Sequence, residues 1–338
     1  MNTTPKYKFI INDICKKINN GQLTIGTHMD SLNEVCRKYE VSRDTAIKAY
    51  QVLKSRGVID SMSGKGYYIN TERTNFRRRI LLLFDEFTHY KNDLYSSIAD
   101  NLQGKIPIDI FFHHFNAEHF TSMLLSKSGK YTDYVIMPLA EPHTFKALEQ
   151  LDKSGNLYIL DQGLDYFNKM PYAFVGQNFE KDLYEGLQLI VKDLSEYDCL
   201  VMQIDNPKGF SGSKMVESMT KGFSKFCEEY KIPNEIKAKL DKPQKNQCYF
   251  IHNDDALIDF IQQCRMANLE IGTDIAIISY NESNLKSVVD KGISTLSTQF
   301  NEMGRQLSKM ILNNKKEFVK IPFQFTERNS FPLKHTKQ

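Results

Sequence analysis

From its first residues the chain reads as short amphipathic helices. Ile10, Ile11, Ile14, Cys15 and Ile18 recur at helical spacing between Lys8 and Asn19, and Asn20-Gly21 supplies a stop. A second helix is expected from Ser31 to about Tyr39, because Ser31 and Glu34 have the spacing of a capping box. A third follows Ser42, its cap, with Ala46, Ala49, Tyr50 and Leu53 on the inward face. Two helices joined by a tight turn have the layout of a helix-turn-helix. After Gly57 the period changes to two short β-rich runs around Ser63-Gly64-Lys65-Gly66, which reads as a wing whose glycines let the backbone come close to a phosphate or a minor groove.

Beyond residue 79 the pattern becomes continuous apolar runs, the mark of strands buried on both faces of a parallel sheet. They are Ile80 to Phe84, Ile108 to Phe112, Tyr134 to Met137, Leu157 to Leu160, Cys199 to Met202, Tyr249 to Ile251 and Ile275 to Ser279. Helical stretches separate most of them, at Leu94 to Gln103, Ala117 to Leu125, Lys181 to Leu194, Lys214 to Glu229, Asp255 to Ala267 and Asn301 to Leu312. Alternation of this kind predicts an α/β body with parallel sheets. Residues 71 to 79 carry no apolar period and bunch four arginines, which suits a basic hinge. The expected organisation is therefore multidomain: a winged helix-turn-helix (α+β) over 1–70, a linker over 71–79 and an α/β body over 80–338.

Length and charge sharpen this division. A chain of 338 residues exceeds one ordinary domain. Its net charge of +3 hides fifteen Lys and Arg against seven Asp and Glu in residues 1–79, a net +8, leaving −5 on the rest. A basic head on an acidic body points to nucleic acid as the head's partner. No apolar run is long enough to cross a membrane and no apolar signal core opens the chain, so a cytoplasmic protein without a membrane partner is expected. The six cysteines are far apart, which argues against a disulfide framework or a zinc site. His113, His114 and His119 do not have zincin spacing and are expected at the surface; no metal or cofactor is expected.

The run Ser31-Leu-Asn-Glu-Val-Cys-Arg-Lys-Tyr-Glu-Val-Ser-Arg43, followed by Lys54-Ser-Arg-Gly-Val-Ile59 and Gly64-Lys-Gly66, resembles the winged helix of GntR-type regulators. The resemblance implies that Ser42, Arg43 and Thr45 meet operator DNA at the start of the recognition helix and that Gly64, Lys65 and Gly66 reach the minor groove. Ser31 and Lys48 complete the candidate DNA face. Asn33 stands where family members often carry Arg, and could instead read an adenine edge.

The body resembles the sensor domain of LacI/GalR regulators, itself similar to periplasmic sugar-binding proteins. The match lies in Leu160-Asp161 with Val175-Gly-Gln-Asn178, His252-Asn-Asp-Asp-Ala-Leu257, Leu269 to Asn281, Ser294 to Gln299 with Glu302-Met-Gly-Arg305, and Ile321 to Ser330. It implies a two-lobed, periplasmic-binding-protein-like body with Asp161, Asp254, Asn281 and Gln299 as effector contacts. A loop after the first body strand, with Tyr90, Lys91, Asn92 and Tyr95, would cover the sugar. Polar residues just after buried parallel strands are independently expected to line a site, and amides, carboxylates and rings suit a neutral polyhydroxyl ligand. Where many sugar-sensing members have an arginine, this chain has Met219, so that basic ligand is absent or supplied by Lys214.

The expected protein is a homodimeric, non-enzymatic repressor of a carbohydrate-utilisation operon. Its monosaccharide effector would relieve repression; regulators with this head and body include arabinose and fucose operon repressors, suggesting a pentose or 6-deoxyhexose. The alternatives are a regulator sensing a non-sugar metabolite and a sugar-modifying enzyme with an accessory nucleic-acid-binding head. No nucleophile elbow, paired-carboxylate motif or phosphate-binding loop supports the enzyme.

Overall fold

The computed structural model describes residues 6–71, 78–139, 142–162, 172–205 and 213–334. The central part of the expected hinge, residues 72–77, lies outside them. By contacts the chain divides into two units, one comprising Met1–Leu83, Lys105–Ile136 and Glu141–Leu157, the other Phe84–Gly104, Met137–Ala140 and Tyr158–Gln338.

The first unit opens with α1 (Lys6–Asn19), α2 (Leu32–Tyr39), α3 (Arg43–Ser55), β1 (Ile59–Met62) and β2 (Gly66–Ile69). The strands pair antiparallel with Ile59 opposite Ile69 and Met62 opposite Gly66, which makes the wing. Gly64 and Gly66 both have positive φ, a conformation the tight wing turn takes at no steric cost only with glycine. Ile10, Ile11, Ile14 and Ile18 of α1 pack on Ala46, Ala49, Tyr50 and Leu53 of α3, with Val35, Ile59 and Ile69 closing the core. Tyr50 is wholly buried, and its hydroxyl donates to the Asp30 carbonyl at 2.7 Å, which satisfies the one polar atom that this ring brings inside. After the wing come β3 (Ile80–Phe84), β4 (Ile108–Phe112), α5 (Ala117–Lys127), β5 (Asp133–Ile136) and α6 (Pro142–Ser154), with α4 (His89–Leu102) belonging to the second unit. β3 and β5 run parallel, Leu82 opposite Val135, and every residue of β3 is buried.

In the second unit β6 (Asn156–Asp161), β7 (Ala173–Gly176) and β13 (Phe318–Lys320) are parallel neighbours. A six-stranded sheet runs in the order β14-β12-β11-β10-β8-β9, from β8 (Cys199–Gln203), β9 (Asn234–Lys237), β10 (Gln247–Ile251), β11 (Ala276–Tyr280), β12 (Ser294–Thr298) and β14 (Phe323–Thr326). Only β14 is antiparallel, on β12. Helices α7 (Phe179–Gln188), α8 (Val191–Leu194), α9 (Ser213–Tyr230), α10 (Asp254–Met266) and α11 (Phe300–Asn313) complete the unit. The expected single helix from Lys181 to Leu194 is thus two helices, broken at Leu189-Ile190, where Ile190 leaves helical geometry and is buried. All seven expected strands are present; the pattern of apolar runs passed over β7, β9, β12, β13, β14 and α6, β9 being an edge strand too exposed to form such a run.

Small residues set the helix contacts. α11 lies on α4, where Ser97 Oγ donates to the Asn301 carbonyl at 2.6 Å, and a Cβ at Gly304 would stand only 2.7 Å from Ser97 Oγ. α9 lies on α7, where a Cβ at Gly222 would run into the Glu180 backbone carbonyl. Met219, the position expected to carry a basic ligand in many sugar sensors, is fully buried in the hydrophobic core beneath this contact. His113 is also buried, its ring edge-on to Phe120, whereas His114 and His119 are exposed; the expectation of surface histidines fails for His113, whose aromatic neighbours give it an apolar seat.

Because the Glu180 carbonyl is backbone and cannot swing aside, Gly222→Ala is expected to destabilise the body by about 1–3 kcal/mol through overpacking. A thermal melt of the full chain checks this, and a midpoint equal to wild type contradicts the close approach.

Candidate functional site

The candidate DNA-facing surface of the head is built by its helix caps. Ser31 and Glu34 form the expected capping box: the Glu34 N–H donates to Ser31 Oγ at 3.3 Å and the Ser31 N–H donates to Glu34 Oε2 at 2.7 Å. Ser42 caps α3 by accepting from the Thr45 N–H, and its hydroxyl lies 2.9 Å from that of Thr45. These caps fix the start of the recognition helix and leave its first residues outward: Ser31, Asn33, Ser42, Arg43, Gly64, Lys65 and Gly66 are exposed and Thr45 is half-exposed. Arg43 Nη1 donates to Asn33 Oδ1 at 3.1 Å, so the two candidate base readers are tied to each other and the Asn33 amide keeps its donors for a partner. Lys48 differs from expectation. Its ammonium lies 3.9 Å from the centroid of the Tyr7 ring, a cation–π contact that folds it over α1.

The second surface lies at the carboxyl ends of strands in the second unit, and two clusters form there. In the first, Asp161 ends β6 with φ 69, a left-handed conformation uncommon for a residue other than glycine. Its carboxylate is buried and accepts from Gln177 Nε2 at 2.5 Å, while Gln177 Oε1 accepts from Thr298 Oγ1 at 2.5 Å. Gly176 is what lets these strand ends meet, since a Cβ there would strike the Asp161 carbonyl. Burial pushes the Asp161 carboxyl up to about 6, with Asp85 adding repulsion and Lys91 and Gln177 partly offsetting it. Lys91 is itself buried and paired with Asp85. Tyr90 stacks on Phe300, ring centroids 4.6 Å apart.

The second cluster follows β10 and β11. Asn253 caps α10 by accepting from the Ala256 N–H at 2.7 Å, which leaves Asp254 free of the capping role and largely exposed. Lys286 reaches in from a short 3-10 turn and donates to the carbonyls of Tyr280 at 2.7 Å and Asn281 at 2.8 Å while pairing with Asp254 at 2.8 Å. Asn281 has φ 60 and half-buried surroundings. His252 lies flat on Tyr280, centroids 5.1 Å apart, and burial together with the nearby Lys286 pushes its imidazole down to about 4.

The structure thus gathers Tyr90, Lys91 and Asp161 around Asp85, and Asp254 and Asn281 around Lys286. No contact among the described residues ties Asn92 or Tyr95 to either cluster. Gln299 is exposed between Thr298 and Phe300, in the cap position of α11 but without a side-chain cap bond. One expectation is corrected: Tyr90, Lys91, Asn92 and Tyr95 are not in a loop, because α4 already starts at His89, and Lys91 is sequestered by Asp85 rather than presented to a ligand. Asp85 and His252 directly follow apolar runs and were legible by that signal. Gln177 and Thr298 sit at strand ends whose apolar character is weak, and Lys286 and Phe300 carry no sequence signal of their own. No group of three or more His, Cys, Asp or Glu among the described residues could hold a metal, and no described helix is long and apolar enough to cross a membrane.

A winged helix with an exposed basic face, joined to an α/β body with polar residues collected at strand ends, defines a one-component transcriptional regulator. Comparison with known proteins specifies its type: residues 6–69 match the gntR family of bacterial regulatory proteins, and residues 202–331 match the periplasmic binding protein-like domain. The chain therefore combines a GntR-type DNA-binding head with a LacI-like body. It is 24% identical to the HTH-type transcriptional regulator GalR of Streptococcus thermophilus over 302 residues, 87% of this chain and 85% of that protein. The body has the fold of a LacI family regulator of Enterococcus faecium solved with bound ribose, with TM-score 0.58, 15% identity, and coverage of 76% of this chain and 99% of that one. The lac repressor dimer bound to operator and an anti-inducer is similar too, with TM-score 0.61, 12% identity, and coverage of 76% and 95%.

Asp161 and His252 act with opposite sign on stability. The raised Asp161 carboxyl penalises the folded state at neutral pH, and that penalty fades as pH falls from about 6 toward the ordinary carboxylate value; the lowered His252 costs stability as pH falls from its ordinary value toward 4. Asp161→Asn removes only the first effect, so the variant is expected to gain about 3 kcal/mol at pH 7.5, for a shift of roughly two units at 1.36 kcal/mol each, and almost nothing at pH 4. Chemical denaturation at both pH values checks this, and a pH-independent difference between variant and wild type contradicts the buried charge.

Proposed function

We propose that this protein is a homodimeric repressor of a carbohydrate-utilisation operon, with head 1–70, hinge 71–79 and body 80–338. A monosaccharide bound among Asp161, Asp254, Asn281 and Gln299, with Tyr90 and neighbouring α4 residues against it, lowers its affinity for operator. The single observation that carries the sensing part is the collection of buried amide, carboxylate and hydroxyl groups at the ends of β6, β7, β11 and β12, paired in a way that suits a neutral polyol. The ribose-bound relative and GalR support a sugar as effector, and a pentose or 6-deoxyhexose fits the arabinose- and fucose-type resemblance. Dimeric lac repressor supports a two-fold assembly on a palindromic site. Coupling follows if the sugar favours one form of the body and that form misplaces two heads through the hinge. The reading implies a cytoplasmic protein without catalytic activity.

Head and body make separable demands on experiment. Selection of bound duplexes from a random pool is expected to yield a palindrome whose affinity falls steeply with salt. Arg43→Ala is expected to weaken that site by about 1–3 kcal/mol and relax one base position, whereas Lys65→Ala weakens all duplexes alike and lowers the salt slope by about one. Fluorescence anisotropy at several salt concentrations checks both; equal, sequence-independent effects of the two changes contradict the division between base reader and phosphate contact. A monosaccharide that stabilises the protein yet leaves operator affinity unchanged contradicts the coupling.

A further inference from the structure

The head meets the body at a place that the hinge does not explain. Met1–Leu83 and Lys105–Ile136 belong to one compact unit, and within it the turn after α5 lies against the carboxyl end of α3. Gly129 in that turn has φ 78 and is buried. Gly57, Gly64 and Gly66 also have positive φ but face open space, whereas a Cβ at Gly129 would overlap the Ser55 hydroxyl and stand 2.8 Å from Ser55 Cβ. Ser55 closes α3 and is half-buried, as is Arg56, the cap residue beside it. Burial pulls the Arg56 guanidinium below its usual range, with Cys15 of α1, Tyr134 of β5 and Tyr7 of α1 partly offsetting the loss. The turn is braced from within the body: the Lys127 carbonyl accepts from the Tyr134 hydroxyl and from the Lys130 N–H, both at 3.1 Å.

The end of the hinge is fixed on the same stretch of body. Arg78 donates through Nε and Nη2 to the two carboxylate oxygens of Asp133, at 3.1 and 2.8 Å, and Asp133 is wholly buried. Arg79 pairs with Asp109 at 2.7 Å, and its carbonyl accepts from the N–H groups of Thr132 and Asp133. A forked pair on a carboxylate fixes direction as well as distance. A head attached only here would still turn about its attachment, and the second contact, at Ser55 and Gly129, removes that freedom. The reading end stays open: Arg43 stands twelve residues before Ser55 on α3, about 18 Å away at 1.5 Å per residue, and Arg43 and Lys65 are both exposed.

We propose that the turn from Lys127 to Lys130 is a seat for the recognition helix and that the seated head is the DNA-binding one. Ser55 and Gly129 are positioning residues: they fix how the head stands on the body, and thereby the spacing and angle at which two heads meet DNA. The spacing role rests on the two-fold reading above; the seat itself does not.

Two measurements on the full-length protein test it. Gly129→Asn supplies a residue that tolerates left-handed backbone while its side chain displaces Ser55, and Ser55→Gln fills the seat from the helix side. The operator is the palindrome selected from a random pool, used as selected and with two base pairs inserted at its centre, which turns one half-site by about 70°. The insertion is expected to cost wild type about 30-fold or more in affinity and each variant less than about 5-fold, with affinity for a single half-site duplex unchanged within about 2-fold. A merely structural contact would lower the melting temperature and leave the spacing preference alone. In a Ser55→Cys, Gly129→Cys protein, mild oxidation is expected to join these two positions in an intramolecular disulfide, found by peptide mapping, and the locked protein is expected to bind operator as its reduced form does. Equal strictness about spacing in wild type and both variants overturns the positioning role. Absence of the disulfide overturns the contact, and its formation with loss of operator binding overturns the assignment of the seated head to the DNA-binding state. A selected site without a two-fold repeat overturns the dimer reading, and the spacing role with it, separately from the seat.

Discussion

Gln177 joins strand ends that would otherwise have no reason to meet. Its amide nitrogen donates to Asp161 at the end of β6, its amide oxygen accepts from Thr298 at the end of β12, and both bonds are buried. In a low-dielectric setting a satisfied polar chain of this kind is rigid, and a broken one is expensive. The bridge has a condition: Gly176, next to Gln177, must let the chain pass close to the Asp161 carbonyl. From that crossing follow the left-handed backbone of Asp161, the raised affinity of its carboxyl for a proton, and its place beside the Asp85 and Lys91 pair. The polar groups at this crossing hold one another in place, the kind of preorganisation that the proposed sugar site needs.

Several buried ionisable groups near these strand ends cost stability. Asp161, at the end of β6, and Asp182, in the first turn of α7, are both buried with carboxyls pushed up to about 6, His252 is half-buried with its imidazole pushed down to about 4, and His252 Nε2 and Asn281 Oδ1 find no described partner. Each feature costs folding free energy in the unliganded protein. The core beneath shows no such tension. Met219, Phe223, Phe226 and Leu200 are fully buried in one hydrophobic cluster, and the glycines at helix crossings permit close packing. The apolar core is well packed, whereas buried hydroxyls without a described partner also lie away from these strand ends, at Thr88 and Thr121.

Much of this was legible in the chain. The capping box at Ser31 and Glu34, the inward face of α3 and the Gly64 to Gly66 wing appear where the pattern places them, since caps, helical period and turn glycines are local in sequence. The seven strands were legible because a strand covered on both faces must be apolar throughout, although β4, at a sheet edge, is half-buried along its whole length rather than covered as expected. What escaped was whatever depends on tertiary surroundings. β9 is an exposed edge strand, so its composition of Asn, Glu, Ile and Lys carries no period. Lys91 has the look of a ligand-facing lysine and is instead neutralised by Asp85, a partner six residues earlier whose proximity only the turn into α4 creates. Lys286 is an unremarkable residue of a 3-10 turn in sequence, yet in space its ammonium gathers three oxygen atoms.

Regulation as proposed rests on energetic coupling between the polar rim and the DNA-binding head. Linkage makes that claim symmetric: whatever factor the sugar imposes on operator affinity, operator must impose on sugar affinity. The most direct measurement is the dissociation constant of the stabilising monosaccharide, by calorimetry, for the free protein and for the protein saturated with its selected duplex at moderate salt. Weaker sugar binding is expected in the complex, by the same factor that the sugar weakens the operator. Equal sugar affinity with and without operator would contradict it.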